Sequence, residues 1–126
     1  TVMMSLWTID DEATAEFEKA VELSARGSEA LGELGYCYGI RGKREDALRI
    51  LKELEAKYAR RESPGYQLAA VYVGLDEKDL AFLWLEKDFA QRSGRLPNIT
   101  LRFPFDNLRS DPRYADLVRR MGLDPN

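Results

Sequence analysis

The chain has 126 residues, of which 44% are hydrophobic, 33% charged and 10% aromatic; this bounds one helix-prone globular domain with a modest core and excludes a disordered chain. The net charge of −3 is uneven, with 12 basic and 18 acidic side chains in residues 1–91 against 7 arginines and 4 aspartates in residues 92–126. The basic end contains no Lys/Arg run, so a solvated or ion-paired surface is expected there and nucleic acid is not an expected partner.

In chain order, the apolar segment Thr1–Trp7 comes first, then Thr8 as a helix N-cap with Asp10, Asp11 and Glu12 in the first turn, where the helix dipole favours acids. Ala13, Phe17, Ala20, Val21 and Leu23 follow at helical spacing, and Arg26-Gly27 ends the helix. Ser28 caps a second helix to about Ile40, which contains Gly32, Gly35 and Gly39. Each glycine costs about 1 kcal/mol relative to alanine in a helix interior, so close backbone approach by a neighbouring helix is expected to offset them. The next helix spans 43–60 with Ala47, Leu48, Leu51, Leu54 and Tyr58 on its buried face, and a surface pair between Glu53 and Lys57.

Ser63-Pro64 reads as an N-cap with proline at the first helical position, opening a helix over 64–74. Asp76 caps the next, 77–92, which carries Leu80, Phe82, Leu83, Trp84, Leu85 and Phe89 on more than one side and therefore needs a cover beyond its own partner. Residues 96–105 read as a covering loop. Asp111-Pro112 then starts a short helix with Tyr114, Leu117, Val118 and Met121 at i, i+3, i+4 and i+7, ended by Gly122 with Leu123 folding back on Val118.

The helices recur at a spacing of 34 residues. Thr8, Gly42 and Asp76 stand in register as N-cap types; so do the acids Asp11, Glu45 and Asp79, the alanines Ala13, Ala47 and Ala81, and Phe17, Leu51 and Leu85. A fixed period of this length marks a helical repeat. The recurrence is expected to fail from Ser93.

These residues resemble the tetratricopeptide repeat. Leu34-Gly35-x-x-Tyr38 with Ala47 and Leu51 fits its motif, as does Leu68-Ala69-x-x-Tyr72 with Ala81 and Leu85, while Ala13, Phe17 and Ala20 fit the second half alone. The sequence departs from the motif at the tryptophan position (Leu31, Gly65), at the terminal proline (Ala25, Ala59, Ser93) and at the last alanine (Leu54, Asp88). The run from Phe105 to Tyr114 is similar to the ends of tetratricopeptide tails on bacterial multidomain signalling proteins, which implies a bacterial origin. The start at Thr1 is what a piece of a longer protein would show. The resemblance implies an all-α, right-handed α-α superhelix. It would comprise a partial repeat over 1–27, repeats over 28–61 and 62–95, and a C-terminal loop and capping helix over 96–126.

Little in the sequence supports catalysis. There is no histidine, so the usual base of Ser-His or Cys-His chemistry is missing. Cys37, the single cysteine, excludes an intramolecular disulfide and takes a small apolar position of the repeat, where a buried structural role is expected. Gly39-x-x-Gly42-Lys43-Arg44 lacks the span and hydroxyl of a phosphate loop, and Asp10, Asp11 and Glu12 are explained by helix capping, so neither cofactor nor metal is expected. No run approaches the roughly 18 apolar residues of a membrane span, and the first residues lack a signal-peptide pattern. The expected setting is the cytoplasm, with no membrane partner.

Binding of a protein or peptide is the expected function. The resemblance places Glu29, Glu33, Tyr36 and Ile40, with Tyr66, Gln67, Ala70 and Val73, on a short concave groove suited to aromatic anchoring. The alternative for Tyr36 and Tyr66 is packing against neighbouring helices. A second reading is a self-association module: the first helix lacks a complete partner and lies beside the apolar Val2, Met3, Met4, Leu6 and Trp7. Asp88, at an inward position, is expected to meet an arginine from the cap: Arg92, Arg102 or Arg109.

Overall fold

The computed structural model describes residues 11–91 and 108–120. Among these the protein is all-helical: α1 (Asp11–Leu23), α2 (Ser28–Ile40), α3 (Arg44–Ala59), α4 (Gly65–Gly74), α5 (Lys78–Gln91) and α6 (Pro112–Arg120), with no strand. The closest packing is between α2 and α4, followed by the hairpins α4–α5, α2–α3 and α1–α2.

Side-chain bonds define two layers. Arg44 of α3 reaches Glu77 just before α5, and Gln91 Nε2 donates to Tyr58 Oη at 2.6 Å. Equal steps along both helices set α3 parallel to α5. Arg113 reaches Asp79 at 2.8 Å and Arg120 reaches Glu86, so α6 also runs parallel to α5. Helices α3, α5 and α6 thus form one layer, and α2 and α4 the other. In α6 the 34-residue register of buried positions fails, as expected after Ser93, although α6 begins 34 residues after α5 and both arginine contacts span 34 residues. What changes is its buried face, which is Tyr114, Leu117 and Val118.

The turns explain where the helices stop. After α2, Gly42 N–H donates to Gly39 O and Lys43 N–H to Tyr38 O; after α4, Asp76 donates to Val73 O and Glu77 to Tyr72 O. This is the paired closure of a Schellman motif, which needs a left-handed residue at C′. Gly42 (φ 78°) and Asp76 (φ 61°) supply it. The two residues expected as N-caps are therefore C′ residues of the preceding helices, and Lys43 is the N-cap of α3. Glycine and aspartate are favoured at both kinds of position, so residue type alone does not separate them. The α3–α4 turn closes in the same way through Arg61 (φ 61°). Arginine carries a Cβ penalty there, so Arg61→Gly is expected to raise stability by about 1 kcal/mol, read as a higher denaturation midpoint at unchanged slope.

The α2 glycines behave as the helix penalty requires. A Cβ on Gly35 would lie 2.6 Å from Val71 Cγ2 and 2.9 Å from Ile50 Cγ2, while Gly39 and Gly74 let the α2 and α4 backbones touch. Two buried clusters result. One holds Val21, Leu31, Leu34, Ala47, Ile50, Leu51, Leu54, Leu68 and Val71. The other joins Tyr36, Cys37, Ala70 and Val73 to Phe82 and Leu85 of α5 and to Leu108, Tyr114, Leu117 and Val118. The sequence reading of α3 misses Ile50, which is buried, and overstates Leu48, which is 41% exposed. On α1, Ala20 and Leu23 are exposed, and among the described helices α2 is its closest neighbour. Thr8, the segment 1–7 and the C-terminal Gly122-Leu123 lie outside the described residues.

Candidate functional site

Helix α2 carries Glu29, Glu33, Tyr36 and Ile40 at spacings that share a face, and α4 carries Tyr66, Ala70 and Val73 likewise. The structure divides this set. Glu29 and Ile40 are exposed and Glu33 and Tyr66 half-buried, whereas Tyr36, Gln67, Ala70 and Val73 are buried. Those four correct the expectation of an open groove. Tyr36, Ala70 and Val73 belong to the cluster that includes α5 and α6, and the Gln67 side chain fills the space opposite Gly32. Of the two readings left open for the tyrosines, packing holds for Tyr36; Tyr66 also packs against the same cluster and stays half-buried. The residual surface is an acidic edge on α2 beside one aromatic ring.

Asp88 is buried, as its inward position requires. The partner seen for it is the N-terminus of α4, where Gly65 N–H donates to Asp88 Oδ1 at 3.2 Å. Pro64 occupies the N-cap and makes no side-chain cap bond, so α5 supplies the missing acceptor, aided by the helix dipole. Of the expected arginines, Arg92 and Arg102 lie outside the described residues, and Arg109 stacks its guanidinium 5.8 Å from the Tyr114 ring centre.

Asp88 also borders a polar cleft of about 750 Å³ at the α3–α4 turn, together with Tyr58, Arg61, Glu62, Ser63 and Gln91. Sequence reasoning did not find this cleft; the one available signal was a carboxylate at an alanine position. A smaller cleft of about 360 Å³ lies between α1 and α3 and is lined by Glu18, Arg26, Tyr38, Asp46 and Arg49 among others. Several of its polar groups are bonded: Tyr38 Oη donates to Glu18 at 2.6 Å, Arg49 donates to Asp46 at 2.9 Å, and Arg26 donates to both oxygens of Glu53. Burial and the Glu18 carboxylate push the Tyr38 phenol up, and the Arg26 guanidinium holds Glu53 below the usual carboxylate range. Glu53, expected to pair with Lys57, whose charge also lowers its pKa, is bonded to Arg26 and so also joins α3 to the turn after α1.

The α6 end is held by repeated arginine clamps. Arg113 lies over Phe82 at 4.5 Å and Arg120 over Phe89 at 5.3 Å, each also paired with an acid of α5. Such a fork uses both the planar charge and the stacking face of arginine, which lysine lacks. Asp111 caps α6 through Arg113 N–H at 2.9 Å. Hydrogen bonding to the Arg113 side chain holds its pKa down to about 2.

Cys37 is buried and its Sγ lies 3.3 Å from Thr14 Oγ1; burial pushes the thiol up, away from the reactive thiolate. Among the described residues no group of three or more metal-ligating side chains converges, and no helix is long and apolar enough to cross a membrane. No family model, curated protein or solved structure matches this chain. The fold defines an all-α protein.

Proposed function

We propose that the chain is a tetratricopeptide-like helical repeat, a right-handed superhelix that serves as a non-catalytic scaffold for a protein or peptide. The observation that carries this reading is the 34-residue offset between successive units: Gly42 and Asp76 close α2 and α4 34 residues apart, and Arg113–Asp79 and Arg120–Glu86 each tie α6 to α5 across 34 residues. Parallel placement of α3, α5 and α6 supports it too. Successive units that share one geometry bury a continuous core and leave an extended face for a partner.

Glu29 and Glu33 lie one turn apart on α2, and Tyr66 is the accessible aromatic among the groove candidates of α4. The test is selection from a peptide display library, followed by titration of the enriched peptides. Tyr66→Ala is expected to weaken binding at least tenfold with an unchanged thermal transition. Failure to enrich any sequence, or equal binding by the variant, would overturn the groove.

One observation favours self-association as a second reading. Ala47, Leu51 and Leu54 are 0%, 3% and 0% exposed. Their register equivalents on α1 are more open: Ala13 and Phe17 are half-buried and Ala20 is exposed. The other self-association candidates, Val2, Met3, Met4, Leu6 and Trp7, fall outside the described residues. A monomeric mass by light scattering at high concentration would sink this reading.

A further inference from the structure

We propose that α1 is a detachable arm, which undocks as a unit at the Ser24–Gly27 turn while α2–α6 stay folded, and that its undocking uncovers Cys37. The inference stands apart from the proposed binding role. Of the thirteen residues of α1, Thr14 and Val21 are buried, whereas eight of the ten in α4 are. Local opening free energy follows the apolar surface a segment removes from water, so α1 sits at the low end of the structure.

Polar ties mark the docked position. Arg41 Nη1 donates to Thr14 Oγ1 at 2.9 Å and Arg41 Nη2 pairs with Asp11 at 2.6 Å, while Tyr38 Oη holds Glu18 at 2.6 Å. The Asp11 side chain is 90% exposed, so water competes for that pair. The hinge differs from the arm. Arg26, in the turn, is fixed to Glu53 of α3 by two bonds of 2.7 and 2.6 Å. Ala25 and Arg26 are both left-handed, at φ 54° and 60°, an arrangement unfavourable for residues with a Cβ. Release of α1 lets Ala25 relax while Arg26 keeps the turn on the body.

Cys37 reports the motion. Its Sγ faces Thr14 on α1, it is 0% exposed, and it is the single thiol in the chain. Labelling by a disulfide reagent under native conditions, followed across low denaturant concentrations, measures the opening that exposes it. Amide exchange of α4 in the same samples measures opening of the body. Cys37 is expected to label through an opening with a shallower denaturant dependence than α4 exchange. Arg41→Ala should speed labelling about tenfold to a hundredfold and Tyr38→Phe about tenfold, with α4 exchange unchanged. Cys37 labelling with the same denaturant slope as α4, or variants that speed both equally, would overturn the proposal.

Discussion

Gly74→Ala is expected to destabilise the protein by about 2 kcal/mol, a large effect for the addition of one methyl group. A Cβ at this position would lie 2.5 Å from the carbonyl oxygen and 2.9 Å from Cα of Tyr36. These are backbone atoms of a helix interior and cannot rotate away. Relief requires α4 to move off α2, and that loosens the closest helix pair in the structure. Alanine gains about 1 kcal/mol in helix propensity, which offsets part of the cost. Gly32→Ala supplies the contrast, because its added Cβ meets the end of the Gln67 side chain rather than backbone. Chemical denaturation of both variants checks the prediction: Gly74→Ala should lose clearly more stability than Gly32→Ala. Equal losses would mean that the α2–α4 approach is not close.

Leu54→Ala is expected to cost about 2–5 kcal/mol. Alanine is the residue the repeat motif has at this position, so likeness to the motif alone would forecast a neutral or stabilising change. Packing forecasts the opposite. Leu54 is 0% exposed and shares a cluster with Val21, Leu31, Leu34, Ile50 and Leu68. Cutting it to a methyl group leaves a cavity that large neighbours cannot fill without leaving their own contacts. A fall in the thermal midpoint of several degrees or more is the expected reading. An unchanged midpoint would place Leu54 at the surface.

Both predictions bear on how the molecule holds its surface. The α2–α4 approach buries Tyr36 between elements rather than presenting it to solvent, and the α6 clamps close the other end. Glu29, Glu33, Ile40 and Tyr66 keep their access. A change that separated α2 from α4 would therefore alter the candidate binding face together with stability. Leu54→Ala acts in the other cluster and should spare that face in the folded fraction.

Much of the architecture was legible from periodicity. Apolar spacing placed all six described helices, and Asp111-Pro112 located the start of α6 to the residue. The caps are less legible, because glycine and aspartate suit both the end of one helix and the start of the next; residue type alone puts Gly42 and Asp76 on the wrong side of the turn. The candidate groove was half legible. Spacing puts Tyr36 and Tyr66 on like faces of their helices, but spacing cannot say which of those faces another element covers.

The sequence by itself determined the helices and their 34-residue recurrence, since both follow from local spacing and turn chemistry. It also determined that α2 must meet another backbone closely, since a helix with three glycines needs packing to offset its lost propensity. Only the tertiary structure decided that Asp88 supplies an acceptor to α4, that Arg26 joins Glu53, and that Tyr36 lies inside while Tyr66 stays partly outside. Each of these depends on contacts between residues more than twenty positions apart. Their geometry is fixed by how the two layers stack, a quantity that no local pattern encodes.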